Sequence, residues 1–173
     1  MLEKLFSGVD RINNALGVVF SWLVGLLILN QFAVVLLRYV FGVGSIKLQE
    51  SIIYIHAFIL MILCAYTLLK DGHVRLDLFY SNRSARAQAA LDVFGAAVYL
   101  LPLSIFIFFD AMGYVLRSWS VFESSREMSG LPGVFLLKTL ILCFAALLFL
   151  QGLSMIWRAV RTLVGADGPK REA

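Results

Sequence analysis

Charge is what this sequence has least of: 15% of its residues are Asp, Glu, Lys or Arg and 61% are hydrophobic, whereas a water-soluble domain carries about 25% charged residues. A globule of 173 residues with this composition could not cover itself with polar side chains, which argues against a soluble enzyme. Cysteine and histidine are also scarce, two of each. Cys64 and Cys143 fall inside apolar runs, where cysteine behaves as a small apolar residue, so neither a disulfide framework nor a metal cluster is indicated. His56 is the one imidazole inside an apolar run, and His73 stands about 25 Å of helix rise away from it. That separation disfavours two axial ligands of one haem, and with it a haem-anchoring subunit. No nucleophile elbow, phosphate-binding glycine loop or pair of carboxylates is present, so nothing points to catalysis or to a cofactor.

What is there is a series of long uncharged runs. Residues 15–37 form the first, too long for a signal-peptide core and followed by no small-x-small cleavage site. Others cover 51–69, 93–109 with an extension past Asp110 to 116, and 131–157, interrupted only by Lys138. Each suits the roughly 20 apolar residues of a crossing helix. The expected fold is an all-α membrane protein: four transmembrane helices in a bundle, spanning about 15–37, 51–69, 93–116 and 131–157, in a single domain over 1–164. Ahead of them Leu2, Leu5, Phe6, Val9 and Ile12 recur at three- and four-residue spacing among Glu3, Lys4, Asp10 and Arg11. This is the pattern of an N-terminal amphipathic interfacial helix in the headgroup region. Residues 165–173 combine Gly, Pro and charge without apolar periodicity, as a disordered tail does.

Lys and Arg number ten in the N-terminal arm, the connection between spans two and three, and the tail, against five in the two remaining connections. The positive-inside rule then expects both termini in the cytoplasm. The same rule accounts for the net charge of +4 without nucleic acid. Asn30, Gln31, His56, Thr67, Ser104 and Gln151 are the main polar groups in the spans, expected to hydrogen-bond neighbouring helices. A central carboxylate, which a self-sufficient solute site usually needs, is not expected. Asp110 and Lys138 would each lie six residues, about 9 Å, inside the ends of spans three and four. At equal depth on antiparallel neighbours they are expected to pair, offsetting the roughly 2.5 to 3.5 kcal/mol that a charge costs within a span. The alternatives are that Lys138 snorkels while Asp110 caps a shorter span, or that either charge faces another subunit.

The most patterned stretch runs from Asp71 to Tyr80. Extended, it turns His73, Arg75 and Asp77 one way and Val74, Leu76 and Leu78 the other. Around it stand Arg38-Tyr39-Val40-Phe41-Gly42 closing span one, Glu50 opening span two, and Gly72-His73-Val74-Arg75-Leu76-Asp77-Leu78 leaving it. Glu127-Met128-Ser129-Gly130-Leu131-Pro132 precedes span four, with Lys138 a little inside it. In these elements, over nearly its whole length, the chain resembles the small membrane subunit of tripartite ATP-independent periplasmic (TRAP) transporters, the DctQ-type small permease. It departs at Gln49-Glu50, where members often carry two adjacent acids.

The resemblance implies a non-catalytic, multi-pass subunit of the bacterial inner membrane. It would enlarge the static scaffold of a large permease subunit, which carries the substrate and sodium sites. It would also help dock a periplasmic binding protein that delivers an organic anion, typically a carboxylate. With Asp110, the structural and assembly candidates are Arg38, Glu50, Gly72, His73, Arg75, Asp77, Glu127, Pro132 and Lys138. The residues by themselves leave open a free-standing four-helix transporter or channel, its pore built between copies.

Overall fold

The computed structural model describes residues 2–70 and 84–165, and the regular structure among them is helical. Helix α1 (Leu2–Tyr39) has 38 residues, α2 (Ile46–Leu69) has 24, α3 (Ala85–Ser120) has 36, and α4 (Val134–Val164) has 31. All four are long and apolar enough to cross a membrane. Gly72, His73, Arg75, Asp77 and residues 166–173 of the tail lie outside the described residues.

The expected interfacial arm is not a separate element: residues 2–14 are the first turns of the unbroken, apolar α1. The physical reason is that polar side chains which periodicity alone assigned to lipid headgroups face α4 instead. Asp10 and Asn13 bond to residues of α4, and Phe6 stacks on Trp157 with ring centroids 5.5 Å apart. At 1.5 Å per residue α1 is about 57 Å long, nearly twice the roughly 30 Å of a hydrocarbon core. It must therefore tilt, or project beyond the hydrocarbon.

The remaining uncharged runs fall on α2, α3 and α4, and the ends of these helices are set by local capping. Helix α2 starts five residues before 51, because the Ser45 side chain accepts a hydrogen bond from the Leu48 N–H at 3.4 Å and caps it. Helix α3 starts at Ala85 instead of 93: Ser84 accepts from the Ala87 N–H at 3.4 Å, and Arg86, Gln88 and Asp92 lie within the helix. At the other end α3 continues past 116 to Ser120. Helix α4 begins at Val134, beyond Pro132, and ends at Val164, where Gly165 takes a left-handed conformation with φ +76°. Gly42, φ +67°, closes α1 in the same manner, letting the Val43 N–H reach back to the Leu37 carbonyl at 2.9 Å.

One irregularity interrupts α3. Residues Ala96–Leu100 form a π-helical turn, with the Leu101 N–H bonded to the Ala96 carbonyl five residues back. Pro102 follows at once. Proline has no N–H, and in a regular helix its ring would strike the carbonyl four residues earlier. A widened turn relieves that collision.

Helix α4 packs against α2, α3 and part of α1, and α2 lies against both α1 and α4; α1 and α3 make no substantial contact with each other. The contacts are made largely by small residues. Ala65 and Ala145 are fully buried and Ala96 and Ala111 nearly so. A methyl group on Gly17 would overlap the Tyr66 ring, and one on Gly152 would stand 2.9 Å from Leu100. Lipid tails are as apolar as leucine, so close backbone approach supplies the packing that water exclusion supplies elsewhere.

Candidate functional site

The most elaborate polar structure is at the end of the molecule where α1 finishes and α2 begins. There residues 121–133, between α3 and α4, fold over Glu50. The Glu50 carboxylate accepts hydrogen bonds from the Ser125 hydroxyl and from the Leu131 N–H at 2.6 Å. Within the loop the Ser125 N–H donates to the Leu131 carbonyl at 3.2 Å, and the Gly130 N–H to the Glu127 carbonyl at 3.0 Å. The Glu127 N–H donates to Ser125 Oγ at 3.1 Å. Gly130 is required by proximity: a Cβ there would meet the Ser125 side chain and stand 2.7 Å from Glu50 Oε1. The glycine of the Glu127–Pro132 motif is thus explained by the acid of α2.

Beside this clasp Lys138 forms an ion pair with Glu123, and its ammonium lies 3.9 Å from the centroid of the Tyr114 ring. The Lys138 hydrogen bond holds the Glu123 carboxyl below the ordinary carboxylate value. Trp119, Phe122 and Phe135 pack edge to face, Trp119 and Phe135 at 4.7 Å. Trp119 Nε1 donates to Thr139 Oγ1 at 2.9 Å.

The expected Asp110–Lys138 pair is therefore absent. Because α3 extends to Ser120, Lys138 is level with Trp119 and its neighbours, and Asp110 is nine residues, about 13 Å, deeper along the helix. Asp110 is also exposed, about 100° around α3 from the buried Ala111 and off the face of Ser104, Ala111 and Val115. Of the other candidates, Glu50, Glu127, Pro132 and Lys138 gather in or beneath the loop. Arg38 ends α1 at the same end of the molecule, exposed and outside the clasp. Glu127 and Pro132 are exposed, as is Met128 at the loop tip.

A second polar cluster, which the sequence reading missed, joins α1 to α4 near the opposite end. Asp10 accepts from Ser154 Oγ at 2.7 Å, from Gln151 Nε2 at 3.2 Å and from Arg158 Nη1 at 3.0 Å. Asn13 Nδ2 donates to Gln151 Oε1 at 2.5 Å. Asn13, Gln151 and Ser154 are all but inaccessible to solvent. The signal lay in the spacing: Asp10 with Asn13, and Gln151 with Ser154 and Arg158, each recur at three or four residues on one helix face.

Among the polar residues of the spans, Asn30 and Gln151 bridge helices, Asn30 donating to Ser51 Oγ at 2.6 Å. Thr67 and Ser104 instead donate to carbonyls of their own helices, of Leu63 at 2.9 Å and Leu100 at 2.7 Å. His56 and Gln31 line an open groove of about 560 Å³ between α1 and α2, otherwise walled by Leu27, Ile28, Phe32, Val35 and Ile52. Among the described residues no three His, Cys, Asp or Glu side chains come together as metal ligands would.

Comparison with known families finds a match: the model described as "Tripartite ATP-independent periplasmic transporters, DctQ component" fits residues 27–162. Among curated proteins and solved structures none matches.

Proposed function

The chain belongs to the DctQ component family of tripartite ATP-independent periplasmic transporters, and from that premise we propose that it is the small permease subunit that braces a large one and offers a docking platform to the periplasmic binding protein. The complex would take up an organic anion, such as a carboxylate, together with sodium. With both termini cytoplasmic, as the distribution of Lys and Arg favours, the loop 121–133 and the turn after α1 face the periplasm.

The observation that carries this reading is the clasp. A loop of thirteen residues is tied to α2 through Glu50 and to α4 through Lys138. It nevertheless leaves Arg38 beside it and Glu127, Met128 and Pro132 upon it exposed. A surface held by part-buried ties and presenting unpaired charge beside apolar side chains suits a soluble partner that must arrive and leave, because docking then costs little ordering entropy.

The test uses the complete transporter. Glu127→Lys with Met128→Asp should leave co-purification of the large subunit unchanged while weakening uptake that depends on the binding protein. Full uptake by the double variant would refute docking at this loop. A cysteine at Ser124 should react with a membrane-impermeant reagent added from outside; protection there would refute the orientation.

A further inference from the structure

Asp110 stands unpartnered within the candidate span of α3, where a carboxylate is costly. It lies ten residues from the end of α3 at Ser120, about 15 Å along the helix. The register with α4 places it within the apolar stretch of that helix as well. Trp119 bonds to Thr139 above it, and Leu100 and Leu101 lie against Gly152 below it. Asp110 is therefore level with the stretch of α4 around Cys143 and Ala145, where no charge occurs between Lys138 and Arg158.

It is exposed, about 100° around α3 from the buried Ala111. Among the described residues it has no ion pair or hydrogen bond: Lys138 is engaged by Glu123, and Arg158 by Asp10. Phe106 and Phe109 flank it, 66% and 71% exposed. At Gly113, three residues on, the space where a side chain would stand is open. Ionisable residues inside spans almost always pair or face a polar cavity, and glycine beside one allows a second helix to come close.

Resting on the subunit reading above, the geometry points to Asp110 as the intramembrane contact for a transmembrane helix of the large permease subunit that carries a Lys or Arg at this depth and packs along Phe106, Asp110 and Gly113. The charge selects among the occupants. Lipid tails offer no donor to a carboxylate. A second copy related by a two-fold axis normal to the membrane would set Asp110 against Asp110, carboxylate on carboxylate. A basic residue on a different chain satisfies it.

The experiment compares Asp110→Leu in the isolated full chain and in the complex. Because leucine removes an uncompensated charge from the lipid-facing surface, the isolated chain should fold at least as stably as the wild type. The complex should recover about ten-fold less large subunit, the scale of a lost intramembrane polar contact. With Cys64 and Cys143 replaced by Ala, Gly113→Cys should cross-link to a cysteine scanned along the large subunit's helices. Suppressors of Asp110→Lys should include an acidic replacement of a Lys or Arg there. If Asp110→Leu destabilises the isolated chain, or retains the large subunit fully, or if Gly113→Cys cross-links only to its own copy, the inference is overturned. If the wild-type chain itself recovers no large subunit, the fault lies with the subunit reading.

Discussion

Replacing Gln151 by Leu probes how much of the α1–α4 contact is polar. The substitution nearly conserves volume, so it opens little cavity, yet it removes the acceptor of Asn13 Nδ2 and one of the three side chains that donate to Asp10. Asp10 keeps Ser154 at 2.7 Å and Arg158 at 3.0 Å, so its loss is secondary. Asn13, 1% exposed, keeps a buried amide with no replacement partner. An interhelical hydrogen bond in a membrane protein contributes about 0.6 kcal/mol on average, and a buried donor left unsatisfied costs about 1 to 3 kcal/mol. Gln151→Leu should therefore destabilise by about 2 to 3 kcal/mol, most of it the orphaned amide. Adding Asn13→Leu removes that amide, and the double variant should cost less than about 1 kcal/mol. Unfolding in mixed micelles, followed by Trp157 fluorescence against its Phe6 partner, measures all three variants. A single-variant cost below about 0.5 kcal/mol, or a double variant as unstable as the sum of the singles, would refute the reasoning.

Gly130→Ala should displace the loop, since its methyl group cannot share space with Ser125 and Glu50; limited proteolysis should cut between Phe122 and Pro132 more readily than in the wild type. A charge swap, Glu123→Lys with Lys138→Glu, should recover much of what each single change loses in folded yield, whereas swapping Asp110 with Lys138 should recover nothing. Because the Glu123 carboxyl is held below its ordinary value of 4.5, chiefly by Lys138, its contribution is complete above that value and is lost as pH falls through the lowered one. Trp119 fluorescence should accordingly hold steady from neutral pH down to 4.5 and change only in stronger acid; a transition near neutrality would contradict the assignment.

The four crossings were legible because hydrocarbon tolerates so few charges that uncharged runs mark them. The helix ends were not, because helices continue through polar residues once backbone hydrogen bonds are capped, as at Ser45 and Ser84. Asp10 and Asn13 were misread for a related reason. Periodicity reports that residues share a face, not what that face meets, and here it meets Gln151 and Ser154 instead of headgroups. Glu50 was legible as a candidate from the resemblance, but its partners Ser125 and Leu131 are 75 and 81 residues distant, and no local pattern announces them. The Lys138 assignment failed on four residues of helix length: with α3 ending at 116 Asp110 stands opposite it, and with α3 ending at Ser120 Glu123 does.

The widened turn at Ala96–Leu100 also acts as a setting of phase. An α-helix advances about 100° per residue, so a turn holding one extra residue rotates everything downstream by that angle without altering the sequence of the rotated part. Pro102 makes the extra residue welcome, and the outward azimuth of Asp110, fourteen residues from the start of the turn, depends on it. Deleting a single residue from Ala96–Leu100 would therefore swing the carboxylate by nearly a third of a revolution, while the loop after Ser120 and its tie to Glu50 resist the twist. Length changes within these five positions act on the outer face of the helix as rotations, and a gain or loss of one residue there reorients a distant charge more thoroughly than any substitution next to it.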